Sequence, residues 1–234
     1  MLVIKKTMLL SALLMVIAII FFSVVVPYTI ITVFIPKPTY SFVIDPGHGG
    51  IDGGVMGKVT GIYERELNLS VSEKLADYFV NSGYGVIMTR KNKYGLYNPT
   101  QVNNFKRADM EKRAEIINEA NATAVISIHM NNFPSAARRG AQVFFNRKSE
   151  SSVLLGKSVQ ATLNEAINIV HSGREYSALH GDYFITKCSN TPTIIVECGF
   201  LSNPLDEKLL VDEKFQMELA YHIFSGVMSY VLTA

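Results

Sequence analysis

The chain has 234 residues, of which 48% are hydrophobic, and a formal net charge of +2. Two of its 22 basic residues, Lys5 and Lys6, lie in the first 36 residues, so the 198 residues that follow carry 20 basic and 20 acidic side chains. A neutral body of this length excludes electrostatic capture of nucleic acid, and the composition excludes a disordered chain or a coiled coil. The 198 residues suffice for one domain with a substantial core.

The N-terminal segment carries no charge from Thr7 to Pro36. Because roughly 20 apolar helical residues span the ~30 Å hydrocarbon core of a bilayer, this run predicts a transmembrane helix. Lys5 and Lys6 precede it, so the N-terminus is expected in the cytoplasm and the rest of the chain outside. A cleaved secretory signal is the alternative, although its apolar core is usually shorter, about 7–15 residues. The expected organisation is a cell-membrane anchor over residues 1–36, a linker over 37–40 and an extracytoplasmic domain over 41–234, secreted if the anchor is cleaved.

Strand-like apolar runs alternate with helical patterns through the rest of the chain. This alternation predicts βαβ crossovers and a single three-layer α/β domain, with a mainly parallel twisted sheet flanked by helices. The predicted strands are Ser41–Asp45, Gly85–Arg90, Thr123–His129, Gly140–Asn146, Tyr183–Lys187 and Thr193–Cys198. The predicted helices are Glu64–Asn81, Phe105–Ala120, Ser152–Ile169 and Asp206–Leu232.

The two cysteines, Cys188 and Cys198, lie on either side of a predicted turn. Cys198 stands at the far end of its strand, so the two Cα atoms are expected to be too far apart for a disulfide. The sequence predicts two buried thiols.

Four ionisable residues are expected at one edge of the sheet, beyond the carboxyl ends of its strands, where such folds bind ligands. His48 follows the first strand, His129 and Glu197 end two others, and Glu64 opens the first helix. Two imidazoles and a carboxylate are the ligand set of a catalytic zinc ion, with a fourth position left for water. A second carboxylate would supply the general base of a metal-dependent hydrolase.

Helical geometry favours Glu64 over Glu66 as the ligand. Glu64 shares the sheet-facing side of its helix with Leu67 and Asn68, whereas Glu66 belongs to a solvated stripe. The alternative for Glu64 is a favourable acid at a helix N-terminus, and each histidine taken alone could be a turn or core residue. Glu197 fits that alternative poorly, because a carboxylate that continues an apolar strand is costly to bury without a partner.

Four ordered segments carry a resemblance to a known family. They are residues 43–50 (VIDPGHGG), 63–69 (YERELNL), 127–131 (SIHMN) and 196–203 (VECGFLSN). Together they resemble the zinc-dependent N-acetylmuramoyl-L-alanine amidases of bacterial cell walls, and the resemblance covers the domain from about Ser41 to the C-terminus. It implies one zinc ion per chain, held by His48, Glu64 and His129, with Glu197 as the catalytic residue. It also implies hydrolysis of the amide between N-acetylmuramic acid and L-alanine in peptidoglycan.

Three further residues are predicted to serve this site. Asp45 is expected to orient His48, while Asn131 and His180 are expected to contact substrate.

The arrangement of one anchor and one catalytic domain, without wall-binding repeats or an inserted inhibitory helix, resembles the germination-specific amidases of spore-forming bacteria. That subgroup prepares spore-cortex peptidoglycan for muramic-δ-lactam formation during sporulation. The expected partners are peptidoglycan, as the substrate, and the membrane, through the N-terminal helix. A cleft without a built-in inhibitor also predicts a regulatory protein partner. Two alternatives stay open: a peptidoglycan-binding scaffold without turnover, and a zinc peptidase that cuts within the stem peptide.

Overall fold

The computed structural model describes residues 6–25, 39–100 and 102–233. Contacts between Cα atoms divide the chain into two units, Met1–Pro38 and Thr39–Ala234. In the first unit, helix α1 covers Lys6–Ile20 and continues as a π-helical segment, Phe21–Val25.

The prediction of a transmembrane helix is not confirmed. Among the described residues, no helix combines the length and the apolar character needed to cross a membrane. Residues 26–36 of the predicted anchor, and residues 37 and 38 of the predicted linker, lie outside the described residues.

The second unit is an α/β domain built on a six-stranded sheet. Its strands are β1 (Ser41–Pro46), β2 (Gly85–Met88), β3 (Ala124–Asn131), β4 (Gln142–Phe145), β5 (Leu179–His180) and β6 (Thr193–Phe200). The order across the sheet is β2-β1-β3-β6-β4-β5, and every neighbouring pair is parallel except β4 with β6. The predicted sheet is therefore confirmed as mainly parallel, with one antiparallel pairing that makes it mixed.

Helices cover the sheet on both faces. They are α2 (Glu64–Asn81), α3 (Phe105–Glu119), α4 (Glu150–Leu163), which continues through a π-helical turn (Asn164–Asn168) into α5 (Ile169–Ser172), then α6 (Pro204–Leu210) and α7 (Glu213–Thr233). Residues of α2, α4 and α7 form the larger core cluster with one face of the sheet. Ile117 of α3 packs with Val43, Val125 and Ile195 on the other face. Burial on both faces explains the continuous apolar runs of β3 and β6.

Two predicted elements differ in the structure. The predicted strand Tyr183–Lys187 is a turn, in which the Lys187 amide donates to the Phe184 carbonyl at 3.0 Å. Its apolar character serves packing instead, because Ile185 is buried in the smaller core cluster. The predicted long C-terminal helix is two helices, α6 and α7, because Asp212 between them accepts a hydrogen bond from the Phe215 amide at 2.9 Å and starts a new helix.

Both cysteines are free thiols, as predicted. The predicted burial is confirmed for Cys198 but not for Cys188, which is half-buried.

Candidate metal centre and catalytic cleft

The register of three parallel strands brings the candidate residues to one edge of the sheet. β1 pairs with β3 up to Pro46 and Ile128, so the chain leaves β1 for the His48 loop beside the end of β3. β3 pairs with β6 so that His129 and Glu197 are direct neighbours.

His48 stands in a strained backbone conformation, with φ of 60°, which side-chain-bearing residues rarely adopt. Strain of this kind persists where the surrounding structure holds it, and it often marks a functional site. The residue before it, Gly47, lies against the His129 ring so closely that a Cβ atom would overlap the imidazole. The loop therefore needs glycine at position 47 to bring the two histidines together.

Glu64, the first residue of α2, is buried and contacts both histidines of the site. Its Oε1 lies 3.2 Å from His48 Nε2 and 3.1 Å from His129 Nδ1, and it accepts a 3.1 Å hydrogen bond from the Met130 amide. Its Oε2 accepts from the Val55 amide at 2.9 Å. Burial alone would raise the pKa of Glu64, but the hydrogen bonds and charges of the two histidines outweigh it and lower that pKa. Glu64 is therefore a carboxylate aimed at both imidazoles.

The three side chains fit a metal ion. Each of His48, Glu64 and His129 offers one ligand atom, and these atoms lie within 4.8 Å of one another. Atoms bonded at about 2.0–2.1 Å to one tetrahedral zinc ion stand about 3.4 Å apart. The distances from Glu64 Oε1 to the two imidazole nitrogens, 3.1 and 3.2 Å, need only small adjustments to match. Glu66, the alternative that helical geometry disfavours, is exposed.

Glu197 lines the same cleft as these three residues. Its Oε2 is buried and has no hydrogen-bond partner among the described residues. Burial is the main reason that the pKa of Glu197 is raised to about 7, with the nearby Glu64 charge adding to the rise and the histidines opposing it. A carboxyl with one buried, unpaired oxygen is costly, so its place in the cleft of the triad indicates a use in chemistry rather than in stability.

Asp52, which the sequence analysis does not single out, takes the place predicted for Asp45. Its Oδ2 lies 3.1 Å from His48 Nδ1, on the opposite side of the ring from Glu64. The hydrogen bonds and charges of Asp52 and Glu64 outweigh the effect of burial and raise the pKa of His48 to about 9. The sequence signal that could have identified Asp52 is its position, four residues after His48 in the same glycine-rich loop.

The prediction that Asp45 orients His48 is therefore wrong. Asp45 accepts hydrogen bonds from Thr89, Ser127 and Arg113 beneath the loop, and none of these bonds reaches the His48 ring. Asp45 shares one face of β1 with Val43, which packs against α3, so its side chain points towards Arg113 of that helix.

Two buried arginines hold the backbone of the His48 loop. Arg113 donates to the carbonyls of Pro46 at 2.8 Å and His48 at 2.6 Å. Arg90 donates to the carbonyls of Pro46 at 2.9 Å and Gly47 at 2.8 Å. Sequence reasoning missed both residues, because charged residues on a helix or after a strand are usually solvated.

The cleft above the triad has a volume of about 550 Å³. Asn131 lines it, as do the aromatic side chains Tyr97, Tyr183 and Phe184. His180 is not among the lining residues; it lies in the edge strand β5, with its Nδ1 3.3 Å from the Phe145 carbonyl. The predicted substrate contact of His180 therefore has no support in this geometry, while that of Asn131 stays a prediction.

Several known proteins are similar to this chain in sequence. The family model described as N-acetylmuramoyl-L-alanine amidase matches residues 42–229. The germination-specific N-acetylmuramoyl-L-alanine amidase of Bacillus subtilis (strain 168) is 34% identical over 190 residues, which cover 80% of this chain and 78% of that protein. The amidase AmiC of Neisseria meningitidis is 28% identical, over 82% of this chain and 52% of that protein.

Solved structures share the fold. The CwlD amidase from Clostridioides difficile, in complex with the GerS lipoprotein, matches with a TM-score of 0.78 and 32% identity, over 84% of this chain and 100% of that chain. An N-acetylmuramoyl-L-alanine amidase from Clostridium difficile 630 matches with a TM-score of 0.73 and 29% identity, over 84% of this chain and 99% of that chain.

Proposed function

This chain belongs to the N-acetylmuramoyl-L-alanine amidase family, and on that premise we propose that it cleaves the bond between N-acetylmuramic acid and L-alanine with a zinc ion held by His48, Glu64 and His129. The observation that carries the proposal is the convergence of these three side chains, whose ligand atoms lie within 4.8 Å of one another. They come from a loop, a helix and a strand that are far apart in sequence, so folding has brought them together.

Zinc in such a site supplies Lewis-acid chemistry, polarising a carbonyl and making water more acidic. Glu197 accepts the proton of the attacking water and delivers it to the nitrogen of the departing alanine. Its burial, which raises the pKa to about 7, suits both steps near neutral pH. The ionised form of Glu197 is the form that accepts the first proton. Asp52 holds the His48 ring in the orientation that faces Glu64.

The deciding experiment separates metal binding from proton transfer. Glu197→Gln is expected to keep zinc but lose at least about 10²-fold in the rate of amide hydrolysis, because the proton carrier is gone. His129→Ala is expected to lose both zinc and activity. The matched control is Glu73→Gln, on an exposed carboxylate of the same helix as Glu64, which should keep both. Metal analysis of the purified variants and mass spectrometry of muropeptide products are the measurements.

The same products test the two alternatives. Free stem peptides that begin with L-alanine support the amidase. Fragments cut inside the stem peptide would indicate a zinc peptidase, and metal without any product would indicate a binding or scaffold protein.

The proposed substrate is spore-cortex peptidoglycan. Support comes from the similarity to a germination-specific amidase at 34% identity over 80% of this chain. Digestion of cortex and vegetative wall side by side, with and without a chelator, tests it. Faster release of peptides from cortex is expected, and cortex treated further with a muramic-acid deacetylase should then yield muramic-δ-lactam. Equal rates on both walls would contradict a cortex role.

The proposed place of action is outside the cytoplasm, where peptidoglycan lies. The supporting feature is the uncharged run that follows Lys5 and Lys6, which is typical of an exported chain. Protease added to intact cells without their wall should degrade the catalytic domain while a cytoplasmic marker survives. Protection of both would contradict export.

We also propose control by a partner protein. The similar CwlD amidase was solved in complex with the GerS lipoprotein. A lipoprotein partner is expected to raise the activity or the zinc content of this chain when added to the purified protein. Full zinc occupancy and full activity of the chain alone would contradict the need for a partner.

A further inference from the structure

A second cavity, of about 470 Å³, lies next to the catalytic cleft. We call it the basic pocket and define it by Arg65, Lys93, Tyr94 and Tyr97, which line it with backbone from the His48 loop. Among the described residues that line it, the two charged ones are both cations, and no carboxylate is present. The catalytic cleft is different, since Asp52, Glu64 and Glu197 all line it.

The guanidinium of Arg65 is fixed in place and still has a free donor. Its NH1 donates to the Gly50 carbonyl at 2.6 Å, and its Cζ lies 4.7 Å from the centre of the Tyr63 ring. Its Nε is buried and has no hydrogen-bond partner among the described residues. Among the described residues, Arg65 has one ion pair, with Glu66, whose side chain is about half exposed, at 3.8 Å. Because an exposed pair is weak, the positive charge of Arg65 is weakly compensated.

Lys93 is the second cation of the basic pocket. It is exposed, and within the described residues no carboxylate lies within 4.0 Å of its ammonium group. The ammonium nitrogen lies 5.7 Å from the centre of the Tyr94 ring, a contact that leaves its three donors available. The backbone of Lys93 is nevertheless fixed, because its carbonyl accepts from the Gly50 amide at 2.8 Å.

Gly50 joins the basic pocket to the metal centre. It stands two residues after His48, and its amide and carbonyl bind Lys93 and Arg65, one on each side. Tyr97 lines both cavities, and its hydroxyl accepts from the Ile51 amide at 2.8 Å. The two cavities are therefore adjacent, with the Tyr97 side chain common to both linings.

We propose that the basic pocket is a subsite for a free carboxylate of the stem peptide, beyond the L-alanine whose amide is cut. This inference rests on the proposed function, because it takes peptidoglycan as the substrate. Stem peptides carry free carboxylates after L-alanine, and some walls amidate them. A planar guanidinium and an ammonium group together form a site that favours a carboxylate over a neutral amide.

The test compares matched muropeptides that differ only in whether the stem carboxylates are free or amidated. The chain should bind and cleave the free acid with a KM about five- to tenfold lower than that of the amide, at similar kcat, because the subsite binds ground state and transition state equally. Lys93→Gln should raise the KM for the free acid towards that of the amide and leave the KM for the amide unchanged. Lys91→Gln, on an exposed lysine that does not line the pocket, is the control and should behave as the unchanged chain.

Direct binding separates this inference from the proposed function. Titration of the same two muropeptides into the Glu197→Gln variant, with and without Lys93→Gln, needs no turnover. Discrimination that disappears with Lys93→Gln supports the subsite even if the chain cleaves another bond. Equal affinity for acid and amide, or equal effects of Lys93→Gln and Lys91→Gln, would overturn the subsite while leaving the amidase proposal intact.

Discussion

His48 is held from two sides by carboxylates, and its backbone carbonyl is held by one arginine, Arg113. Asp52 and Glu64 lie against its two ring nitrogens, at 3.1 and 3.2 Å. Its carbonyl accepts from Arg113 at 2.6 Å, which anchors a backbone with a positive φ. These contacts fix both the position and the orientation of the ring before any ion binds. Ion binding therefore does not have to spend free energy on ordering the His48 side chain.

Asp52→Ala tests this at the scale of one residue. Removing the carboxylate that orients a metal-binding histidine typically lowers metal affinity by about 10–100-fold. We expect a loss of about that size in the zinc affinity of this variant. Competition for zinc against a chromophoric chelator measures it. Asp77→Ala, which removes an exposed carboxylate from the solvent side of α2, should leave the affinity unchanged. An Asp52 variant that binds zinc as tightly as this control would show that His48 needs no orienting partner.

At the scale of elements, a buried ion network joins β1, α3 and the His48 loop. Arg113 of α3 pairs with Asp45 of β1 and, at 2.6 Å, with Asp109 of its own helix. Thr89 and Ser127 also donate to Asp45, each at 2.6 Å. Because every carboxylate oxygen of Asp45 has a partner, the network couples the packing of α3 to the shape of the loop.

Asp45→Asn is expected to lower the free energy of unfolding by about 3 kcal/mol at neutral pH, since it leaves Arg113 less compensated in a buried place. Burial alone would raise the pKa of Asp45, but Arg113 and the two hydroxyl donors outweigh it and lower the pKa below its usual 3.8. A lowered pKa contributes stability that is complete above the usual pKa and is lost as the pH falls below it.

The difference between the unchanged chain and Asp45→Asn should therefore shrink as the pH falls below about 5. Urea unfolding of the metal-free chain at neutral and acid pH measures this, with the exposed Asp77→Asn as the control. A difference that stays constant with pH would show that the charge of Asp45 contributes nothing to stability.

At the scale of the whole molecule, the metal centre connects distant parts of the chain. Its candidate ligands come from the loop after β1, the start of α2 and the end of β3. A ligand that binds only the folded state stabilises it in proportion to its occupancy. Zinc is thus expected to act on the stability of the domain as well as on its chemistry.

Zinc at about 100 times its dissociation constant should stabilise the chain by about 2.7 kcal/mol, which corresponds to a rise in Tm of about 5–10 °C. Thermal unfolding followed with a chelator, and again after zinc is restored, measures the effect. His129→Ala should melt at the same temperature in both conditions. If the unchanged chain also melts at one temperature throughout, the triad does not bind the ion.

Much of the fold could be predicted from local patterns. The bounds of α2 agree with the prediction because its apolar face, from Leu67 to Phe79, repeats at helical spacing and ends at a glycine turn. The turn at Tyr183–Lys187 could not be predicted in this way. In this apolar run Ile185 is buried but Tyr183 and Phe184 are exposed, and whether such a segment pairs as a strand depends on which neighbour is free to accept its hydrogen bonds.

The sequence by itself determined most of the strands and helices, the edge of the sheet where the candidate ligands lie, and the four residues that line one cleft there. It could do so because the carboxyl ends of parallel strands share one edge, whatever the rest of the packing. Only the tertiary structure decided that Asp52 rather than Asp45 faces His48, that Arg90 and Arg113 hold the loop, and that Arg65 and Lys93 share a pocket. The arginine and lysine contacts join segments that are remote in sequence, and the Asp52 contact depends on how the His48 loop turns, so side-chain directions and distances in the folded chain decide all of them.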